Sequence, residues 1–320
     1  MAIKRYIGIA KETEYGIHVT TNASYIWTET TESLKSDLNY NIIDPIATRQ
    51  RMKALKGNWR IRGNIGPVNI ELENIVSQLL YGALGSDNPS NLGGTPAAWK
   101  HTITPADTLP SFSIRSGLDT KERRLSGCIV DGFTLEARYN EIAKFTARMF
   151  SGKYETVEDT LTTDNVSFSS LNPLTYADVT VKIDNDSETT RLFDVSIDFN
   201  NGLIDKGSLG SRTYDTVRVG PRTINGKFST YFDNIDDWTR MMNGTPFKLE
   251  IILTGTLISG SNYYQITITL PKCIIKSDAL PHVMPINEPL IIDVPFEALY
   301  DDTAEYDIQI EIINTRSTAY

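Results

Sequence analysis

Leu192-Phe-Asp-Val-Ser-Ile-Asp-Phe-Asn200 decides the fold class of this chain. Extended, it sets Phe193, Val195, Ile197 and Phe199 on one face and Asp194, Ser196 and Asp198 on the other, the period of a strand with one side buried and one wet. The same alternation recurs at 179–184, where Val179, Val181 and Ile183 oppose Thr180, Lys182 and Asp184. It recurs again at 247–253 (FKLEIIL), 263–270 (YYQITITL) and 305–313 (EYDIQIEII). Strands of this kind belong to antiparallel sheets. The chain is therefore expected to be mainly β.

Helical patterning is sparse. Residues 72–84 place Ile75, Leu79 and Leu80 on one stripe, with Asn74 as a cap. Residues 234–243 place Ile235, Trp238, Met241 and Met242 on another, with Asn234 and Asp237 as a capping pair and Gly244 as the stop. A third, basic stretch at 45–56 (PIATRQRMKALK) reads as a further short helix.

The two clearer helices reveal an internal repeat. Val76–Gly82 aligns with Trp238–Gly244 at an offset of 162, each after a Gly-containing strand. Cys128-Ile-Val aligns with Cys273-Ile-Ile at 145, and Asn140-Glu141 with Asn287-Glu288. The shared order is strand, helix, hairpin, cysteine strand, turn and closing strand, with a longer connection at 85–100 in the first copy. The expected organisation is an N-terminal arm (1–44), a first β unit (45–158), a polar linker (159–176) and a second β unit (177–320). Residues 203–218, rich in glycine turns and charge, read as a projecting hairpin or loop.

Composition excludes several function classes. The 320 residues carry 31 Lys+Arg against 40 Asp+Glu, a net charge of −9, which argues against tight nucleic-acid binding. No apolar stretch reaches the roughly 18–20 residues of a membrane span, so no membrane partner is expected. The opening MAIKRYIGIAKETEYG meets charge before a secretory core forms, which predicts synthesis in the cytoplasm. Cys128 and Cys273, far apart and without a CxxC, read as buried free thiols.

Catalytic and cofactor signals are missing. His18, His101 and His282 lack HxH or HExxH neighbours, no serine sits in GxSxG, and Gly57, Gly63 and Gly66 make no phosphate loop. The pairs Asp236-Asp237 and Asp301-Asp302 fit a helix start and a turn. Neither an enzyme nor a cofactor or metal is expected. Trp27 and Tyr263-Tyr264 are the aromatic candidates for a β-sandwich carbohydrate-binding module, but adjacent residues of a strand point to opposite faces, and no platform assembles.

The order of elements resembles the tail tube proteins of tailed bacteriophages. The likeness is carried by RTINGKFSTYFDNIDDWTRMMNGTPFKLEIIL (222–253) with 263–316, and by FTLEARYNEIAKFTARMF (133–150). It implies two tandem sandwich- or barrel-like tube units, each with one short flanking helix. It also implies six units per ring, met here by three chains, and stacked rings forming a hollow virion tail tube. The implied partners are further copies of the chain, the tape-measure protein and transiting DNA in the lumen, and sheath, terminator and tail-tip proteins. A tail-tip or hub component is the alternative in the same assembly. Asp194, Asp198, Glu250 and Asp293 are the candidates for an acidic lumen lining past which DNA slides, although the same residues also suit ordinary solvated strand faces. Lys206, Arg212, Asp215 and Arg218 are the candidates for a polar contact between rings.

Overall fold

The computed structural model describes residues 5–19, 24–26, 32–44, 50–51, 53–72, 75–159, 171–187, 191–214, 216–232, 235–276 and 290–320. Its backbone is one long antiparallel sheet faced by a second one. The long sheet runs Lys35–Ile43, Lys53–Asn69, Lys144–Ser151, Lys121–Arg138, Leu192–Asn200, Thr223–Tyr231 and Ile291–Ala298, each pairing with the next. The facing sheet runs Val179–Ile183, Phe247–Ser259, Asn262–Ile275, Gln309–Asn314, Ala98–Pro105 and Gly85–Gly93. The sheets meet at one corner, where 273–275 pair with 296–298. Arg5–Lys11 and Phe112–Leu118 continue from the first half of Lys121–Arg138, and Glu155–Glu158 flanks its other side.

Alternation sorts the side chains as the sequence requires. Val195, Ile197 and Phe199 share one core cluster with Phe133, Leu135, Phe145 and Phe228 of the long sheet and with Val181, Leu249, Ile251 and Ile268 of the facing sheet. Rings of Phe133 stack on both Phe199 and Phe145, with centroids 5.1 and 5.5 Å apart. Burying such side chains is worth roughly 1.5–3 kcal/mol each before entropy, and fixes strand register because a slip of one residue would turn all of them to water.

Pairing in the first half recurs in the second. Gly63 pairs with Met149, Cys128 with Ser151, and Phe112 with Cys128. In the second half, Gly226 pairs with Phe296, Cys273 with Ala298, and Phe247 with Cys273. In both halves the cysteine's partner follows the glycine's by two positions along the closing strand, and the strand register shifts just after the phenylalanine. Both glycines let the preceding strand come close: a Cβ on Gly63 would lie 2.3 Å from the Ser33 carbonyl oxygen, and one on Gly226 would lie 2.6 Å from that of Ser196. The cysteines are free and buried, and desolvation pushes both thiols far above their usual pKa, so neither ionises in the folded state.

Helix α1 (Ile75–Leu84) is buried all round, with Ile75, Val76, Leu79 and Leu80 at 0% exposure. Helix α2 (Asp236–Asn243) is peripheral, with Ile235 and Met242 more than half exposed. Gly244 closes α2 in the left-handed conformation, its φ being 61°. The N-cap of α2 is Ile235 rather than the expected Asn234, which lies outside the described residues with Asn74. Asp237 leaves the cap to pair with Arg191 at 2.6 Å.

The expected helix at 45–56 is not formed over its described end. Lys53–Lys56 extend the long strand and pair with Tyr40–Ile43, because cross-strand pairing outweighs a modest helical propensity. Residues 45–49 and 52 lie outside the described part. The connection at 85–100 is ordered as a hairpin, Gly85–Gly93 with Ala98–Pro105, stitched to Gln309–Asn314. Within the expected arm 1–44, Arg5–Lys11 and Lys35–Ile43 are integral strands. The expected linker falls mostly on 160–170, which are not described.

Candidate functional site

Opposite the core, the long sheet turns a polar face outward. Along Leu192–Asn200 this face carries Asp194, Ser196 and Asp198, and register aligns their neighbours in rows. One row reads Arg138, Asp194, Ser229, Asp293. The next reads Lys144, Glu136, Ser196, Lys227. Three of the four acidic candidates, Asp194, Asp198 and Asp293, therefore share one surface. Glu250 lies elsewhere, on Phe247–Ser259 of the facing sheet, where Lys248 reaches it at 2.6 Å.

The surface is balanced in charge. Arg148 Nη1 donates to Asp198 Oδ1 at 2.5 Å, while its Nη2 donates to the Phe199 carbonyl. Thr134 Oγ1 donates a second bond to Asp198 at 3.0 Å. Lys227 sits 3.5 Å from Asp293, Arg138 lies 3.3 Å from Glu136, and Lys276 pairs with Glu297. Desolvation raises the Asp194 pKa, and the Arg138 charge and the Tyr139 N–H partly offset this. On this face the carboxylates of Asp198, Asp293, Glu136 and Glu297 stand beside cations from the same or neighbouring strands, so the surface is mixed in charge rather than uniformly acidic. Alternation in Lys144-Phe-Thr-Ala-Arg148 was the signal that would have placed Lys144 and Arg148 there.

At the Asn200 end of the same strands a hairpin projects. Ile204–Lys206 pairs with Thr216–Arg218, which places Lys206 and Arg218 on the two arms. The returning segment is tied to its own chain. Trp59 N–H donates to the Arg212 carbonyl at 2.7 Å, Tyr214 N–H donates to the Gly152 carbonyl at 3.0 Å, and the Tyr214 ring meets Phe150 edge-on. Arg62 lies 3.6 Å from Asp205. Tyr214 is 4% exposed, an anchor that the sequence did not announce. The tip at 206–210 is exposed throughout, Leu209 fully so. Asp215 lies outside the described residues.

Chemistry is sparse. Among the described residues no cluster of three or more His, Cys, Asp or Glu could hold a metal. His101 is fully buried, its Nδ1 3.0 Å from Asp87 and its Nε2 2.9 Å from the Arg316 carbonyl, a structural tie between the 85–105 hairpin and residue 316. Burial lowers the pKa of His18, and His282 is not described. Tyr264 is buried and Tyr263 exposed, as neighbours on a strand must be, and Trp27 lies outside the described residues. No described helix is long and apolar enough to cross a membrane.

A long antiparallel wall with a wet, charge-laddered face is a structural element looking for neighbours. The profile of the phage tail tube protein family matches residues 3–298. The chain belongs to that family. No curated protein matches it. Family membership makes the chain a structural component of the virion, with a role in the tail tube. The mainly β expectation and the resemblance to tail tube proteins both stand.

Proposed function

We propose that the chain is a double tube unit, three copies of which close into a ring with six-fold pseudo-symmetry. Rings then stack into the hollow tube through which the tape-measure protein and DNA pass. The observation that carries the reading is the seam inside the chain. Residues 132–138 of the first half pair with 194–200 of the second along their whole length. Lys35–Ile43 holds against the Gly63 strand the place that Leu192–Asn200 holds against the Gly226 strand. Its other edge has no strand partner among the described residues. An open edge that repeats the inner seam invites the same pairing from a second copy, and head-to-tail pairing of this kind closes a ring.

Dimensions favour three copies. Counting the Cys273 strand, each chain offers eight strands to the wall. At about 4.8 Å per strand, three chains enclose a barrel about 37 Å across for upright strands, and about 48 Å at a tilt near 40°. Two chains give about two thirds of that, the narrow channel of a sixteen-stranded barrel. The polar face of the long sheet, with Asp194, Asp198 and Asp293, then lines the lumen, where balanced charge offers a polyanion neither a sink nor a wall. Sheath, terminator and tail-tip proteins are the further partners that a tube end or exterior would meet.

End-on electron micrographs of purified protein, averaged without imposed symmetry, together with mass photometry, test the reading. Three chains of 35.8 kDa per ring are expected. Six chains per ring, or monodisperse globules at all concentrations, would overturn it.

A further inference from the structure

Leu209 is 105% exposed, at the outermost point of the projecting hairpin between Gly207 and Gly210. One exposed leucine is ordinary on a protein surface. This one is held out from a fixed base, because Tyr214, the Arg212 carbonyl and Asp205 are all tied to the first half of the chain. The hairpin leaves the sheet at the Asn200 end of its strands.

At the Asp194 end of the same strands the sandwich opens into a cleft of about 230 Å³. Val179, Val181, Leu192, Phe193 and Val195 line it, and Tyr139 and Tyr176 stand at its mouth with ring centroids 5.0 Å apart. Both tyrosines are exposed, at 67% and 39%. Six residues of strand, about 20 Å, separate Asp194 from Asn200, so knob and cleft sit at opposite ends of the wall. Identical copies stacked with one polarity bring opposite ends together.

We propose that Leu209 of one copy seats in the Tyr139–Tyr176 cleft of a second copy in the next ring. The proposal rests on the tube reading and names the contact that stacks the rings. It replaces the expected crossing of the whole 203–218 loop by insertion of its tip alone, since the remainder is docked at home.

The Leu209 side chain is fully exposed, so Leu209→Asp leaves the fold and the single ring intact. It is expected to raise the protein concentration needed for ring stacking at least tenfold. Ala177→Trp, which fills the cleft from its exposed wall, is expected to do the same. A Leu209→Cys, Ala177→Cys double variant is expected to give a ladder of intermolecular disulfides on mild oxidation, with neither single variant doing so; the native thiols are buried and do not compete. Wild-type tubes together with Leu209→Asp tubes at an unchanged threshold, or tubes of the double-cysteine variant that form no ladder, would overturn the cleft contact and leave the tube reading standing. Wild-type protein that never stacks would overturn both.

Discussion

Asp198 illustrates what a single strand can and cannot announce. Its alternation with Ile197 and Phe199 was enough to turn it away from the core, and that reading needed nine residues. Its partner Arg148 is 50 positions away on a strand two removed, so neither the pair nor the cancellation of charge was legible locally. The overall charge of −9 pointed to an acidic face because composition does not say which strands become neighbours. Asp198→Asn keeps an acceptor for Thr134 and Arg148 and should change stability by less than about 0.5 kcal/mol. Asp198→Lys sets a cation against Arg148 and should cost about 1 kcal/mol, read as a melting point lower by a few degrees. With Asp194→Lys added, assembly should persist while DNA leaves the virion more slowly, because unpaired cations then stand in its path. Virions of the double variant that eject at the normal rate would place these residues away from the lumen.

At the scale of elements, both long-lived helix expectations correspond to real helices, yet their burial differs in a way the stripes did not show. Helix α1 packs against Ala98–Pro105 and Lys121–Arg138 and presents no wet side, whereas α2 touches the core chiefly through Met241. Leu79→Ala or Leu80→Ala should therefore cost about 2–5 kcal/mol by urea unfolding, and Met242→Ala less than about 0.5. Comparable losses at the three sites would mean that α2 is as central as α1. Over its described end the 45–56 expectation failed for a related reason: Lys53–Lys56 have helix-forming side chains, and pairing with Tyr40–Ile43 makes them extended. The proposed repeat rests in the sequence on an order of elements, with Cys128 and Cys273 as its marks. What the sequence alone could not supply was the pairing that sets Phe112 and Phe247 opposite them.

For the whole molecule the decisive question is whether Lys35–Ile43 is an edge by accident or by use. A strand of nine residues with an unpaired side is a hazard for any protein that remains alone, and such edges are usually shortened or blocked. Here the strand instead shows Tyr40, Ile42 and Ile43 nearly half exposed, and no proline interrupts it. Antiparallel strands point alternate N–H groups to their two sides, so proline at adjacent positions separates inner pairing from outer pairing. Asp37 pairs with Arg60 and Leu38 with Trp59. Of Asp37→Pro and Leu38→Pro, one should cut the ladder to Lys53–Asn69 and lower the melting point of the monomer. The other should leave that melting point within a few degrees of wild type, yet yield open arcs or single chains in place of closed rings. Mass photometry on both variants beside thermal melts reads the two effects separately. If neither variant loses ring closure while folded, the edge is not the joint between copies, and closure must be sought elsewhere on the wall.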